Sequence, residues 1–206
     1  LPTAKGFVIN SGVTQGQPIQ PISESDPTLR LALDRPVVLV GLMGAGKTRV
    51  GKRLAAHLEL PFVDTDQEIE AETGKTISEL FDALGEPEFR QGERRMIARL
   101  LQGPVSVIAS GGGAFMDPVT RANIRARAIS IWLKADLDAL VLRTSRSKKR
   151  PLLQGVDPEA KLAELMELRH PIYAEADLTV QSLAGPIDET VEAVVGALTQ
   201  HLETPR

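Results

Sequence analysis

Eight residues, Gly41-Leu42-Met43-Gly44-Ala45-Gly46-Lys47-Thr48, have the types and spacing to hold a phosphate chain. The glycines let the backbone coil until successive N–H groups converge on one phosphate-sized space, which a β-carbon would obstruct. An apolar run, Pro36-Val37-Val38-Leu39-Val40, comes before, and a helical pattern comes after. The positive end of that helix points at the same spot. Lys47 adds a mobile full charge for the outer phosphates, and the Thr48 hydroxyl suits Mg²⁺. Gly44, Ala45, Gly46, Lys47 and Thr48 are therefore the expected cradle of a nucleoside triphosphate such as ATP.

Beside such a loop, Asp64 and Asp66 gain meaning. They alternate across Thr65, so extended backbone would aim both to one side. One could join Thr48 around Mg²⁺, while the other holds or deprotonates an attacking hydroxyl. Either could instead cap the helix that follows. Arginines come next: Arg90, Arg143, Arg150 and Arg169. Arg90 stands three residues before Glu93 on a helical stretch, a spacing that fixes a guanidinium by an ion pair. Arg150 lies in the basic run Lys148-Lys149-Arg150 of a long loop, 145–155, which reads as a mobile lid drawn toward a triphosphate.

Short β runs alternate with helical patterns through most of the chain. Strands are expected at 37–40, 61–63, 105–109, 129–133 and 178–180. Helices are expected at 67–72, 77–84, 88–101, 118–127, 137–144 and 158–168. A last helix carries Ile187, Val191, Val194, Val195, Leu198 and Leu202 on one stripe. This predicts an α/β fold with a doubly wound, five-stranded parallel sheet flanked by helices. In such sheets ligands sit at the carboxyl ends of the strands. The phosphate loop, Asp64 with Asp66, and Gly111-Gly112-Gly113 all follow strands, so they should form one site.

Composition agrees. Of 206 residues 42% are hydrophobic but only 3% aromatic, which implies an aliphatic core. A net charge of −3 speaks against nucleic acid or an anionic membrane as the main partner. With no cysteine there is no disulfide, thiolate metal site or cysteine nucleophile, and three scattered histidines make no zinc spacing. The expected location is the cytoplasm, and no long apolar stripe calls for a partner, so a monomer is expected. Residues 1–35, rich in Gly, Ser, Thr, Gln and Pro, read as a flexible tail with a helical turn near 28–33; residues 36–206 read as the domain.

Taken together, the phosphate loop, Asp64-Thr65-Asp66, Glu88-Phe89-Arg90, the triple glycine, Arg150-Pro151-Leu152-Leu153 and Arg169-His170-Pro171-Ile172-Tyr173 resemble the shikimate kinases in order and spacing. The resemblance spans about residues 36–198. It implies the P-loop NTPase fold and transfer of the ATP γ-phosphoryl to the 3-hydroxyl of shikimate, with Mg²⁺. By that resemblance Asp66 would orient or deprotonate the hydroxyl, and Thr48 with Asp64 would hold the metal. Arg90 and Arg169 would clamp the substrate carboxylate, with Gly112 and Gly113 against the ring. Lys47 and Arg150 would neutralise the transferring phosphoryl, and Arg143 would stack on adenine. The loop 182–186, where adenine contacts would fall, matches only loosely. Rival readings are a kinase for another polyol acid such as gluconate, and a sensor that has lost turnover. The two arginines beside a triple glycine disfavour the first. Retention of Lys47, Asp66 and Arg150 disfavours the second.

Overall fold

The computed structural model describes residues 27–145, 156–183 and 185–204. In chain order its elements are α1 (Pro27–Ala32), β1 (Val37–Val40), α2 (Lys47–His57), β2 (Phe62–Asp64), α3 (Thr65–Thr73), α4 (Ile77–Leu84) and α5 (Glu86–Leu100). There follow β3 (Val107–Ala109), a 3₁₀ turn (Ala114–Met116), α6 (Pro118–Arg127), β4 (Ile129–Lys134), α7 (Leu137–Ser145), α8 (Pro158–Tyr173), β5 (Leu178–Gln181) and α9 (Ile187–Glu203). The expected lid, with Arg150, falls on residues 146–155 and so lies outside the described residues.

The sheet order is β2-β3-β1-β4-β5, and every pairing is parallel. β1 is central, with Leu39 beside Ala109 on one side and Ile131 on the other. All four β1 residues are fully buried, because helices cover both faces. That is why the sequence there is an unbroken apolar run rather than an alternating one. Trp132 of β4 lies opposite Val40, against Gly41 at the start of the phosphate loop. A smaller apolar cluster of Ile69, Leu80, Phe89 and Met96 joins α3, α4 and α5, the part of the molecule that carries Arg90.

Helix starts follow side-chain chemistry. Asp64, Asp117 and Asp157 accept backbone N–H groups at the starts of α3, α6 and α8, the last two with proline in the first turn. Thr76 and Glu79 cap α4 reciprocally. Helix α8 runs on to Tyr173 through Pro171, five residues beyond the expected end at 168. A proline reads as a stop in sequence, yet here the continued helix puts Arg169 and Tyr173 on one face at i, i+4.

The end of the expected tail, residues 27–35, is packed on the domain, while residues 1–26 lie outside the described residues. Helix α1 packs on α9, its neighbour Leu33 and its own Leu29 are 6% and 3% exposed within the main core, and Arg30 pairs with Glu59 at 3.1 Å. Polar composition up to Pro27 hid two leucines at the i, i+4 spacing of an amphipathic turn. Truncation after Asp34 is expected to destabilise the protein by about 2–5 kcal/mol, from loss of two buried leucines. Truncation before Pro27 keeps those contacts and should leave the urea midpoint unchanged; equal midpoints for both truncations would contradict the packing of α1.

Candidate active site

The chain leaves β1 through three glycines in the left-handed region, Gly41 (φ 135°), Gly44 (φ 84°) and Gly46 (φ 95°). Gly44 and Gly46 flank Ala45, and this alternation turns successive N–H groups to one side, forming an anion-binding nest. Helix α2 opens on Gly46 with no side-chain cap, whereas α3, α4, α6 and α8 are capped. Its first N–H groups are thus left for a ligand. Lys47 lies across the loop and donates from Nζ to the carbonyls of Gly41 (2.7 Å) and Leu42 (2.9 Å).

Thr48 Oγ1 donates to Asp64 Oδ2 at 2.7 Å. The other oxygen of Asp64 accepts the N–H groups of Asp66 (3.1 Å) and Gln67 (3.4 Å). The two sequence alternatives for Asp64, helix cap and partner of Thr48, are therefore both realised, one by each oxygen. The expected extended alternation of Asp64 and Asp66 does not occur. Helix α3 begins at Thr65, so Asp66 reaches the cleft from a first helical turn rather than from a strand. Hard oxygen donors Thr48 and Asp64, side by side, fit Mg²⁺, which keeps several waters and needs few protein ligands. Among the described residues no cluster of three or more His, Cys, Asp or Glu could hold a metal by itself.

Asp66 sits between opposite charges. Burial, followed by the nearby Glu93 and Asp64 charges, pushes it up to about 6, against the pull of Lys47 and Arg90. At neutral pH it is a carboxylate of raised basicity. Arg90, on α5, donates to Glu86 from Nε (3.2 Å) and Nη2 (2.9 Å) and to Glu93 from Nη1 (2.8 Å). Its guanidinium also lies 5.5 Å from the ring of Phe81 and 5.4 Å from that of Phe89. Burial raises the Glu93 carboxyl while Arg90 draws it down, and Glu93 Oε1 has no hydrogen-bond partner among the described residues.

The triple glycine serves close approach. A β-carbon at Gly113 would fall within the Arg90 guanidinium, and one at Gly111 would overlap Glu93 and stand 2.9 Å from Asp66 Oδ1. Gly111 N–H donates to the buried Thr65 hydroxyl at 2.9 Å. The Gly112 carbonyl accepts from Arg169 at 3.1 Å and from the Tyr173 hydroxyl. Burial lifts that phenol to about 12, so it remains a neutral donor. Gly113 thus bears on Arg90, and Gly112 turns its carbonyl to Arg169.

One cleft of about 610 Å³ gathers these groups. Gly44, Gly46, Lys47, Thr48, Asp64, Asp66, Arg90, Gly112, Gly113, Arg143 and Arg169 all line it. Ala45 is buried behind the loop, and Arg143 reaches the Gly44 carbonyl (3.3 Å), Ser182 Oγ (3.0 Å) and the Leu183 carbonyl. Glu93 was expected only as an ion-pair partner, and Thr65, Tyr173 and Ser182 stood within quoted motifs or loops without a role of their own. Tyr173 had a usable signal, its i+4 spacing from Arg169; Ser182 had none.

A family model described as shikimate kinase matches residues 43–199, well over half of the chain. The chain belongs to the shikimate kinase family. A shikimate kinase of Bradyrhizobium diazoefficiens is 52% identical over 185 residues, 90% of this chain and 89% of that protein. One from Caulobacter vibrioides is 54% identical over 166 residues, 81% of this chain and 83% of that protein. Among solved structures, shikimate kinase from Acinetobacter baumannii in complex with shikimate has a TM-score of 0.80 at 36% identity, covering 82% of this chain and 96% of that one. The fold shared with the shikimate kinase family is the P-loop one, a parallel sheet flanked by helices.

The raised Asp66 carboxyl has a stability consequence. Between its ordinary value near 3.8 and about 6 the folded state binds the extra proton, so stability falls as pH rises through that window. Asp66→Asn should therefore stabilise the metal-free protein above pH 6, on the order of 2 kcal/mol. That gain should vanish toward pH 4. Calorimetric melts at pH 4 and pH 8 check it, and no gain at pH 8 would contradict the environment described.

Proposed function

We propose that the chain is an ATP-dependent shikimate kinase, moving the γ-phosphoryl group of ATP to the 3-hydroxyl of shikimate to give shikimate 3-phosphate and ADP. One observation carries this reading. Asp66 stands within the reach of Lys47 on one side and Arg90 on the other, in a single cleft that Arg169 also lines. One cleft thus holds groups that suit a phosphate cradle, a carboxylate of raised basicity and a pair of arginines fit to grip a carboxylate.

In this reading Gly44, Ala45, Gly46, Lys47 and Thr48 cradle the triphosphate, and Arg143 packs at the adenine side. Lys47 leaves its loop carbonyls for the β- and γ-phosphates, which outcompete neutral acceptors for a full positive charge. Thr48 and Asp64 would hold Mg²⁺, which would supply charge neutralisation for the transfer. Arg90 and Arg169 grip the ring carboxylate, and the flat glycine wall leaves room for the ring. Arg90 keeps N–H groups on Nη1 and Nη2 beyond those given to Glu86 and Glu93, a fork suited to two-point contact. Asp66 accepts the proton of the attacking hydroxyl as the new O–P bond forms and the bond to the ADP oxygen breaks. Arg150, outside the described residues, completes the neutralisation. The work is positioning and electrostatics, with little covalent chemistry asked of the protein. The domain over residues 36–206 acts in this reading as a cytoplasmic monomer. Among the described residues no helix is long and apolar enough to cross a membrane.

A coupled ADP-release assay over shikimate, quinate, gluconate and nucleoside monophosphates tests the substrate. Turnover of shikimate at rates far above the others is expected, and preference for gluconate or a nucleotide would overturn the reading. Asp66→Asn is expected to lower turnover by about 10²–10⁴-fold, the usual contribution of a positioned general base, while ADP still binds. Near-normal turnover would remove Asp66 from its assigned role.

A further inference from the structure

A loop that turns its N–H groups inward to a phosphate must turn carbonyls outward, and buried carbonyls need donors from behind. In this loop the Gly41 and Leu42 carbonyls take Lys47, and Arg143 reaches that of Gly44. The Ala45 carbonyl lies at the centre of the nest, between the two left-handed glycines. Its donor is Ser182 Oγ, at 2.8 Å.

Ser182 stands just past the end of β5 and is only 4% exposed. Its N–H is tied to the Lys134 carbonyl at the end of β4, at 2.6 Å. Its oxygen accepts from Arg143 Nη1 at 3.0 Å. An arginine can only donate, so the single hydroxyl proton is forced toward Ala45. The hydroxyl is thus held by the sheet, polarised by a cation and aimed at one carbonyl. Oγ also lies 3.6 Å from where a β-carbon on Gly46 would stand, so it backs the second left-handed turn as well.

We propose that Ser182 is a positioning residue of the nucleotide site, fixing the Ala45 peptide so that the loop's N–H groups stay converged before a nucleotide arrives. This rests on the phosphate-cradle reading above. Loss of the hydroxyl frees the Ala45 carbonyl to rotate or to seek water, and the nest relaxes. The energetic effect falls on phosphate binding and not on the acid-binding wall, since among the described residues the hydrogen bonds of Ser182 run to Ala45, Arg143 and Lys134 and not to Arg90, Arg169 or the glycine run. A hydroxyl that only stabilised the β5–α9 connection would lower the melting temperature without favouring one ligand over the other.

The test is calorimetric titration of wild type, Ser182→Ala and Ser182→Thr with MgADP, and separately with shikimate, alongside melting temperatures. Ser182→Ala should weaken MgADP binding about tenfold, in the range for a buried acceptor left unpaired. Shikimate affinity should stay within about twofold, and Ser182→Thr, which keeps the hydroxyl, should recover most of the ADP loss. Should the alanine variant fold poorly, Ser182→Cys keeps the volume with a weak donor and makes the same comparison. ADP affinity unchanged in the alanine or cysteine variant, or equal losses for both ligands, overturns this inference alone. A wild-type protein that ignores MgADP overturns the cradle reading together with it.

Discussion

The hydrogen bond from Thr48 to Asp64, 2.7 Å long, joins two parts of the chain that the sheet keeps apart. Strand β3 lies between β1 and β2, so the start of α2 and the start of α3 can meet only above the sheet's carboxyl edge. Asp64 makes that meeting specific. One oxygen takes the Thr48 hydroxyl and the other closes the first turn of α3, which in turn sets Asp66 over the cleft. Register between the start of α2 and the start of α3 therefore hangs on one carboxylate with both oxygens occupied. Replacing it with a residue that has one acceptor would break either the cap or the tie.

The Arg90 side of the cleft is organised by charge held under tension. Glu93 is almost fully buried and gives one oxygen to Arg90, while Glu86 holds the same guanidinium from the solvent side. Phe81 and Phe89, 4.4 Å apart, bound it with ring faces. Removing one member of a buried ion pair costs far more than the pair contributes, because the remaining charge stays desolvated. Such a grip cannot be loosened piecemeal. Its rigidity lets a planar fork be presented at a fixed place, and the small α3–α4–α5 cluster supplies the support beneath.

Much of this was legible in the chain itself, for reasons that differ by element. Strand β1 announced itself because a doubly covered strand has to be apolar throughout, and α4 ran from Ile77 to Leu84 as expected because Thr76 and Glu79 mark its start. The phosphate loop was readable because only glycine tolerates φ of 84° and 95° so close together. What stayed hidden depended on tertiary contact. Pro171 looked like a stop, since the packing of α8 that carries the helix past it is not a local property. Leu29 and Leu33 looked like tail because α1 packs on α9, more than 150 residues away. Ser182 was silent for the same reason: a serine after a strand is ordinary until Ala45 and Arg143 are found beside it.

The indole of Trp132 has an optical consequence. It is the chain's sole tryptophan, 5% exposed, edge-on to His170 at 5.0 Å and beneath the Lys134 ammonium at 5.4 Å. Its Cδ1 lies 3.4 Å from the place a β-carbon on Gly41 would take. The natural fluorophore is thus seated at the junction where β1 gives way to the phosphate loop, within range of a cation and an imidazole. Its emission is an intrinsic gauge of that junction, with no dye attached and no second indole to confuse the signal.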